Sequence, residues 1–174
     1  MSLESVRADL AAKAPDLTIT VTDQSSATVA LAAEALGVEP GQIAKTLSVR
    51  VGERVVLVVT KGTARLDNRK AREALGGKPR MLGADEVVAL TGHPVGGVCP
   101  FGLATPLAVY CDISLKDYAE VWPAAGSINS SVRITPARIA ELTGATWVDV
   151  SQAPGVPDQA AADAPRAENE STAD

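Results

Sequence analysis

Apolar residues recur at helical spacing over residues 3–14, where Leu3, Val6, Leu10 and Ala14 share one face. The pattern then switches to alternation over residues 17–22, with Ile19 and Val21 set between threonines, which predicts a strand. Ser25 or Ser26 can cap a second helix that runs to Leu36 and is stopped by Gly37. Over residues 41–51, Ile43, Leu47, Val49 and Val51 fall on one side of a strand that turns at Gly52-Glu53. The return strand, residues 55–60, is a β-branched run suited to the middle of a sheet. Asp67 is placed to cap a helix over residues 68–75 that ends at Gly76-Gly77, and a short helix follows over residues 85–90. Residues 107–112 and 132–135 read as strands, residues 136–142 as a helix with Pro136 in its first turn and Gly144 behind it, and residues 146–150 as a last strand. Short strands interleaved with helices predict an α/β fold in a single domain.

Two segments do not fit a purely structural reading. Lys45 lies on the same alternating face as Ile43, Leu47, Val49 and Val51, which directs an ammonium toward the interior. A buried lysine costs desolvation energy unless an anion, a carbonyl or a wet pocket receives it. The competing readings are a side chain that snorkels to the rim, or a register slipped by one. The second segment is Gly92 to Gly102, in which four glycines and two prolines break any helical or strand period across eleven residues. Paired Gly96-Gly97 lets backbone turn sharply and lie against a ligand, while Pro94 and Pro100 stiffen the flanks; a plain surface connection is the alternative.

Composition narrows the classes. At 174 residues and 46% hydrophobic content the chain can bury one sizeable core, and with 3% aromatics that core must be aliphatic. No apolar run approaches membrane-spanning length, and residues 1–14 carry Glu4, Arg7, Asp9 and Lys13 rather than a leader segment, so a cytoplasmic protein without a membrane partner is expected. Cys99 and Cys111 lack C-x-x-C spacing, which argues against a disulfide framework and a zinc site; no metal or cofactor is expected. His93 is the single histidine, and no His/Asp/Ser constellation or H-E-x-x-H motif is there to suggest a triad or a metal hydrolase. The formal charge of −5 is unevenly spread. Residues 151–174 hold five acids against Arg166 and read as an acidic, disordered tail beyond a domain at residues 1–150. Residues 45–80 hold ten Lys/Arg against three acids, a block that can attract phosphates or simply be a solvated surface.

The segment Ile43-Ala44-Lys45-Thr46-Leu47, followed by Gly92, Gly96, Gly97, Val98, Pro100 and Gly102, resembles the YbaK/ProX family of aminoacyl-tRNA deacylases. The same family supplies the inserted editing domain of bacterial prolyl-tRNA synthetases. The stretch from Leu66 to Gly76 and Tyr110-Cys111-Asp112 extend the likeness, which covers about residues 17–150. The resemblance implies a mixed, strongly curved, barrel-like sheet surrounded by helices. It implies hydrolysis of the ester joining a small amino acid (Ala, Ser, Thr or Cys) to a mischarged tRNA, tRNA(Pro) among the candidates. The partner would be the acceptor end of aminoacyl-tRNA, with a synthetase as a further candidate partner and no DNA.

An aminoacyl ester is already activated, so positioning a water and stabilising developing negative charge can suffice without a Ser or Cys nucleophile. Lys45, Gly96 and Gly97 are the candidate catalytic residues, the lysine holding the substrate carbonyl or terminal phosphate and the amides of Gly96, Gly97 and Val98 cradling the carbonyl oxygen. Thr46, Val98, Pro100, Ala125, Gly126 and Asn129 are the candidate substrate-binding residues. Members that act on cysteinyl-tRNA present Ser-Gly-Gly where this chain has Ala124-Ala125-Gly126, which puts cysteine specificity in doubt. Asn129 is either a polar contact to the amino acid or a turn residue. Cys99 reads as a small buried hydrophobe, His93 as loop packing, Asp112 as a capping or orienting group, and Trp122 and Trp147 as packing. The alternative function is a non-catalytic module that binds aminoacyl-tRNA or a nucleotide on the same fold.

Overall fold

A computed structural model describes residues 2–152, and most of the acidic segment lies outside them. The order of elements is α1 (Ser2–Lys13), β1 (Ile19–Val21), α2 (Val29–Leu36), β2 (Ile43–Val51), β3 (Arg54–Lys61), α3 (Asn68–Leu75), β4 (Arg80–Met81), α4 (Ala84–Thr91), β5 (Ala108–Asp112), β6 (Trp122–Pro123), β7 (Ser130–Val132), α5 (Pro136–Thr143) and β8 (Thr146–Val148). The main sheet runs β4-β2-β3-β5-β8, with β6 added to β2, while β1 and β7 form a separate pair. It is mixed: β2 and β3 form an antiparallel hairpin, and β3–β5, β5–β8 and β2–β6 are parallel. Among the described residues the ladder ends at β4 and β8 without a pair that closes it.

The hairpin is buried on both sides, which explains its unbroken apolar character. Leu47, Val49 and Val51 of β2, with Val56 and Val58 of β3, receive Ala71 and Leu75 of α3 and Val150. Ala44, Leu57 and Val59 face the larger cluster built from Val6 and Leu10 of α1, Phe101, Leu115 and Ile139. Each such side chain contributes about 1.5–3 kcal/mol by leaving water.

Helix boundaries follow their capping chemistry. Asp67 accepts from the Lys70 amide and Thr135 from the Arg138 amide, while Gly37, Gly76, Gly92 and Gly144 end their helices in the left-handed conformation. The start of α2 differs from expectation: Thr28, not Ser25 or Ser26, is the cap and accepts from the Leu31 amide at 3.1 Å. Ser26 is buried, and both its amide and its hydroxyl donate to the Ile128 carbonyl. The strand expected at residues 132–135 is displaced to Ser130–Val132, because Val132 pairs with Ile19 and Ile134 forms a single bridge with Val121.

Asp112 resolves as a cap. Its fully buried carboxylate accepts from the amides of Ser114 (3.0 Å) and Val150 (2.7 Å) and from the Ser151 hydroxyl. It ties the end of β5 to the chain leaving β8. That chain continues past Val150: the Asp67 amide donates to the Val150 carbonyl, and the Gln152 amide to the Arg65 carbonyl at 2.8 Å.

Candidate active site

Lys45 sits in the first half of β2 and is 3% exposed, so the inward reading holds over both alternatives. Its alternating face carries Ile43, packed with Val29, Ala32 and Ala33 of α2, and Leu47, packed under α3. The lysine therefore interrupts an apolar stripe between two helices. On the outer edge of β2, β6 pairs at Ile43 and Ala44, and β4 pairs at Val49 and Arg50. Residues 45–48 lie between these two short strands, and continuing the parallel register brings Lys45 level with Ala124.

The next residues after β6 connect this strand to the glycine loop. The Gly126 amide donates to the Gly97 carbonyl at 3.0 Å, and the Gly97 amide donates to the Pro94 carbonyl at 2.9 Å. Residues 94–97 are thus a tight turn with Gly96 third at φ +88°, a geometry that favours glycine. A Cβ on Gly96 would lie 2.8 Å from the Ala27 Cβ, and one on Gly97 within 3.0 Å of three backbone atoms of Ser127. Gly97→Ala is expected to cost about 1–3 kcal/mol and to displace the turn, since rigid backbone blocks the new methyl; denaturant melts and the amide shifts of residues 94–98 check it.

The Gly97 amide is engaged inside the loop by the Pro94 carbonyl. Val98 is fully buried with Leu82 and Val87, and Pro100 is buried beside Cys99. Ala125 packs into the main core, and Gly126, at φ +94°, is pressed against the Ser2 backbone. Asn129 is a loop staple: its Nδ2 donates to the Thr22 carbonyl (3.0 Å), and its Oδ1 accepts from Ser127 (3.0 Å). The Thr46 hydroxyl, by contrast, is buried without a hydrogen-bond partner, as is that of Ser48, two residues along the same face. Sequence reading passed over Ser48, whose hydroxyl has no distinguishing pattern until burial exposes it, and over Ala27 and Ser127, the walls that require the paired glycines.

His93 is fully buried, with Nε2 donating to the Phe101 carbonyl at 2.7 Å and Nδ1 unpartnered. Burial lowers its pKa from 6.5, so the ring is held neutral and packs the loop. Above pH 6.5 the folded and unfolded chains both hold a neutral ring; below it the unfolded chain takes up a proton that the folded one resists, and stability falls. Urea midpoints are expected to drop from pH 7 to pH 5.5 in wild type and to drop less in His93→Gln. Burial likewise pushes the Cys111 thiol up to about 12; Cys99 lies 3.6 Å from the Phe101 carbonyl and 3.8 Å from His93 Nε2, which gives its own proton to that carbonyl and so does not face the sulfur as a base.

Much of the basic block is spent on structure. Arg50 pairs with Glu86, Arg54 donates to the Leu75 carbonyl (2.7 Å), and Lys61 and Lys70 meet Asp117 (2.7 Å) and Asp149 (3.2 Å). Arg69 and Arg72 of α3 remain exposed, with Arg69 only loosely paired to Glu73 at 3.7 Å.

A mixed α/β domain with a buried lysine on β2 and, leading out of the adjacent β6, a loop that clasps a glycine turn reads as an editing-type domain. The comparisons agree. The aminoacyl-tRNA editing domain family matches residues 23–142, and the chain belongs to that family. YwhH of Bacillus subtilis strain 168, described as uncharacterized, is 47% identical over 86% of this chain and 97% of its own. EbsC of Enterococcus faecalis, provisionally named a Cys-tRNA(Pro)/Cys-tRNA(Cys) deacylase, is 32% identical over 68% of this chain and 74% of its own. A crystal structure described provisionally as a trans-editing enzyme for prolyl-tRNA synthetase superposes with a TM-score of 0.81 at 37% identity, covering 87% of this chain and 98% of that one. No helix among the described residues is long and apolar enough to cross a membrane.

Proposed function

We propose that this protein is a trans-editing aminoacyl-tRNA deacylase that hydrolyses the ester of a mischarged tRNA carrying a small amino acid, with tRNA(Pro) as a candidate carrier and the cytoplasm as its place of action. The observation that carries the reading is the burial of Lys45 on β2, next to the positions where β6 pairs (Ile43 with Trp122, Ala44 with Pro123), three residues before Gly126 donates to the Gly97 carbonyl. Water attacks the ester carbonyl, charge develops on its oxygen, and the terminal ribose hydroxyl leaves with a proton. Lys45 supplies the positive charge that favours the oxyanion, in a site where low dielectric strengthens the attraction. The amides of Gly96 and Val98 are the remaining donors for that oxygen. Pro100, Ala125 and Gly126 are rigid, small residues that suit a small acyl group, while Thr46, on the opposite face of β2 from Lys45, takes no part in this step. Absence of a serine at position 124 disfavours a site specialised for cysteine.

The acting unit on this reading is the domain described at residues 2–152, followed by the acidic segment. Deacylation time courses with Ala-, Ser-, Thr- and Cys-charged tRNA, with and without prolyl-tRNA synthetase, test the proposal. Loss of at least one ester at a rate proportional to enzyme supports it. Flat traces across the panel, alongside measurable tRNA binding, would replace it with the non-catalytic binding module.

A further inference from the structure

The described chain ends beside α3 in a way that gives the following residues a destination. Residues 150–152 run antiparallel to residues 65–67: Leu66 bridges Ser151, and the Gln152 side chain donates to the Leu66 carbonyl at 3.4 Å. Lys70, one turn into α3, already holds this segment, donating to Asp149 (3.2 Å) and to the Ser151 carbonyl (2.9 Å). On the exposed side of the same helix, Arg69 and Arg72 stand one turn apart. The last described residue, Gln152, lies beside Arg65, three residues before the start of α3. Residues 153–174 then bring five carboxylates, Asp158, Asp163, Glu168, Glu170 and Asp174, against the single Arg166.

We propose that the acidic segment at residues 153–174 docks on the outer edge of α3, with Arg69 and Arg72 as its anchors, and competes there with the phosphates of a nucleic-acid substrate. Three observations select this occupant: the exit point of the chain, the opposite charge of segment and helix, and continuity with the Lys70–Asp149 contact already made. Reach is no obstacle, because twenty-two residues extend to as much as ~70 Å, against ~12 Å for α3. The competition half of the proposal rests on the tRNA reading above; the docking half does not.

The test uses the full chain. A nitroxide is placed on Ser171→Cys, with Cys99 and Cys111 protected from the label by full burial. It is expected to broaden the amide signals of residues 68–75 at low salt, with relief at about 0.5 M salt, where charges are screened within a few ångströms, and in Arg69→Gln/Arg72→Gln. Signals of α3 that stay as sharp as those of α5 overturn docking. In a second arm, replacing the five acids by Asn and Gln is expected to tighten tRNA binding about tenfold at low salt, converging with wild type as salt rises. Equal affinity at every salt concentration overturns competition. Inactivity toward every charged tRNA would sink the deacylase assignment and leave the broadening result standing.

Discussion

Lys45→Ala is expected to lower kcat/KM for deacylation at least about a hundredfold, the scale set by losing one preorganised charge at a developing oxyanion. The fold is expected to survive, because the substitution removes a buried cation from between two apolar clusters and leaves the β2 ladder intact. Lys45→Arg separates charge from placement. It keeps the positive charge but enlarges the head group in a position that is 3% exposed, so retained charge with poor activity is the expected pattern. Wild-type rates in folded Lys45→Ala would remove the lysine from the chemistry altogether.

Asp112→Ala is expected to be the most destabilising single change, by about 2–4 kcal/mol, because it strands buried donors that the carboxylate now satisfies. The loss falls on two separate pieces of chain: the Ser114 amide just after β5, and the Val150 amide with the Ser151 hydroxyl after β8. Asp112→Asn retains one acceptor for Val150 but turns an NH2 toward the Ser114 amide, so donor faces donor. Urea denaturation should order the stabilities wild type, Asn, then Ala, and hydrogen exchange should show the segment at residues 149–152 opening first in both variants. Equal stability of Asp112→Ala and wild type would mean that the C-terminal segment contributes nothing to the fold, contrary to its burial at Val150 and Ser151.

Local chemistry made much of the fold legible. The hairpin at Gly52-Glu53, the capped helix after Asp67 and the glycine stops at Gly37, Gly76 and Gly144 each depend on a few adjacent residues, and each stands where the pattern predicts it. The two-residue strands β4 and β6 were invisible because so short a run has no period; they exist only because the edge of β2 is there to pair with. Ser25 and Ser26 are as good caps as Thr28 by residue type, and only the pull of Ser26 toward the Ile128 carbonyl decides among them.

In the site, residue type alone pointed to Lys45 and to Gly96-Gly97, since an inward ammonium and a paired glycine are costly enough to mark themselves in one dimension. Where each group stands in the fold came from contacts that spacing does not reveal: the amide of Gly97 donates to Pro94, the side chain of Asn129 links Thr22 and Ser127, and Ala125 belongs to the core. Sequence by itself determined the helices, the central hairpin, the family and the unusual charge, because those follow from spacing and side-chain chemistry. Tertiary structure alone decided which donors stay open, because a hydrogen-bonding group is free or spent only with respect to neighbours that folding brings to it.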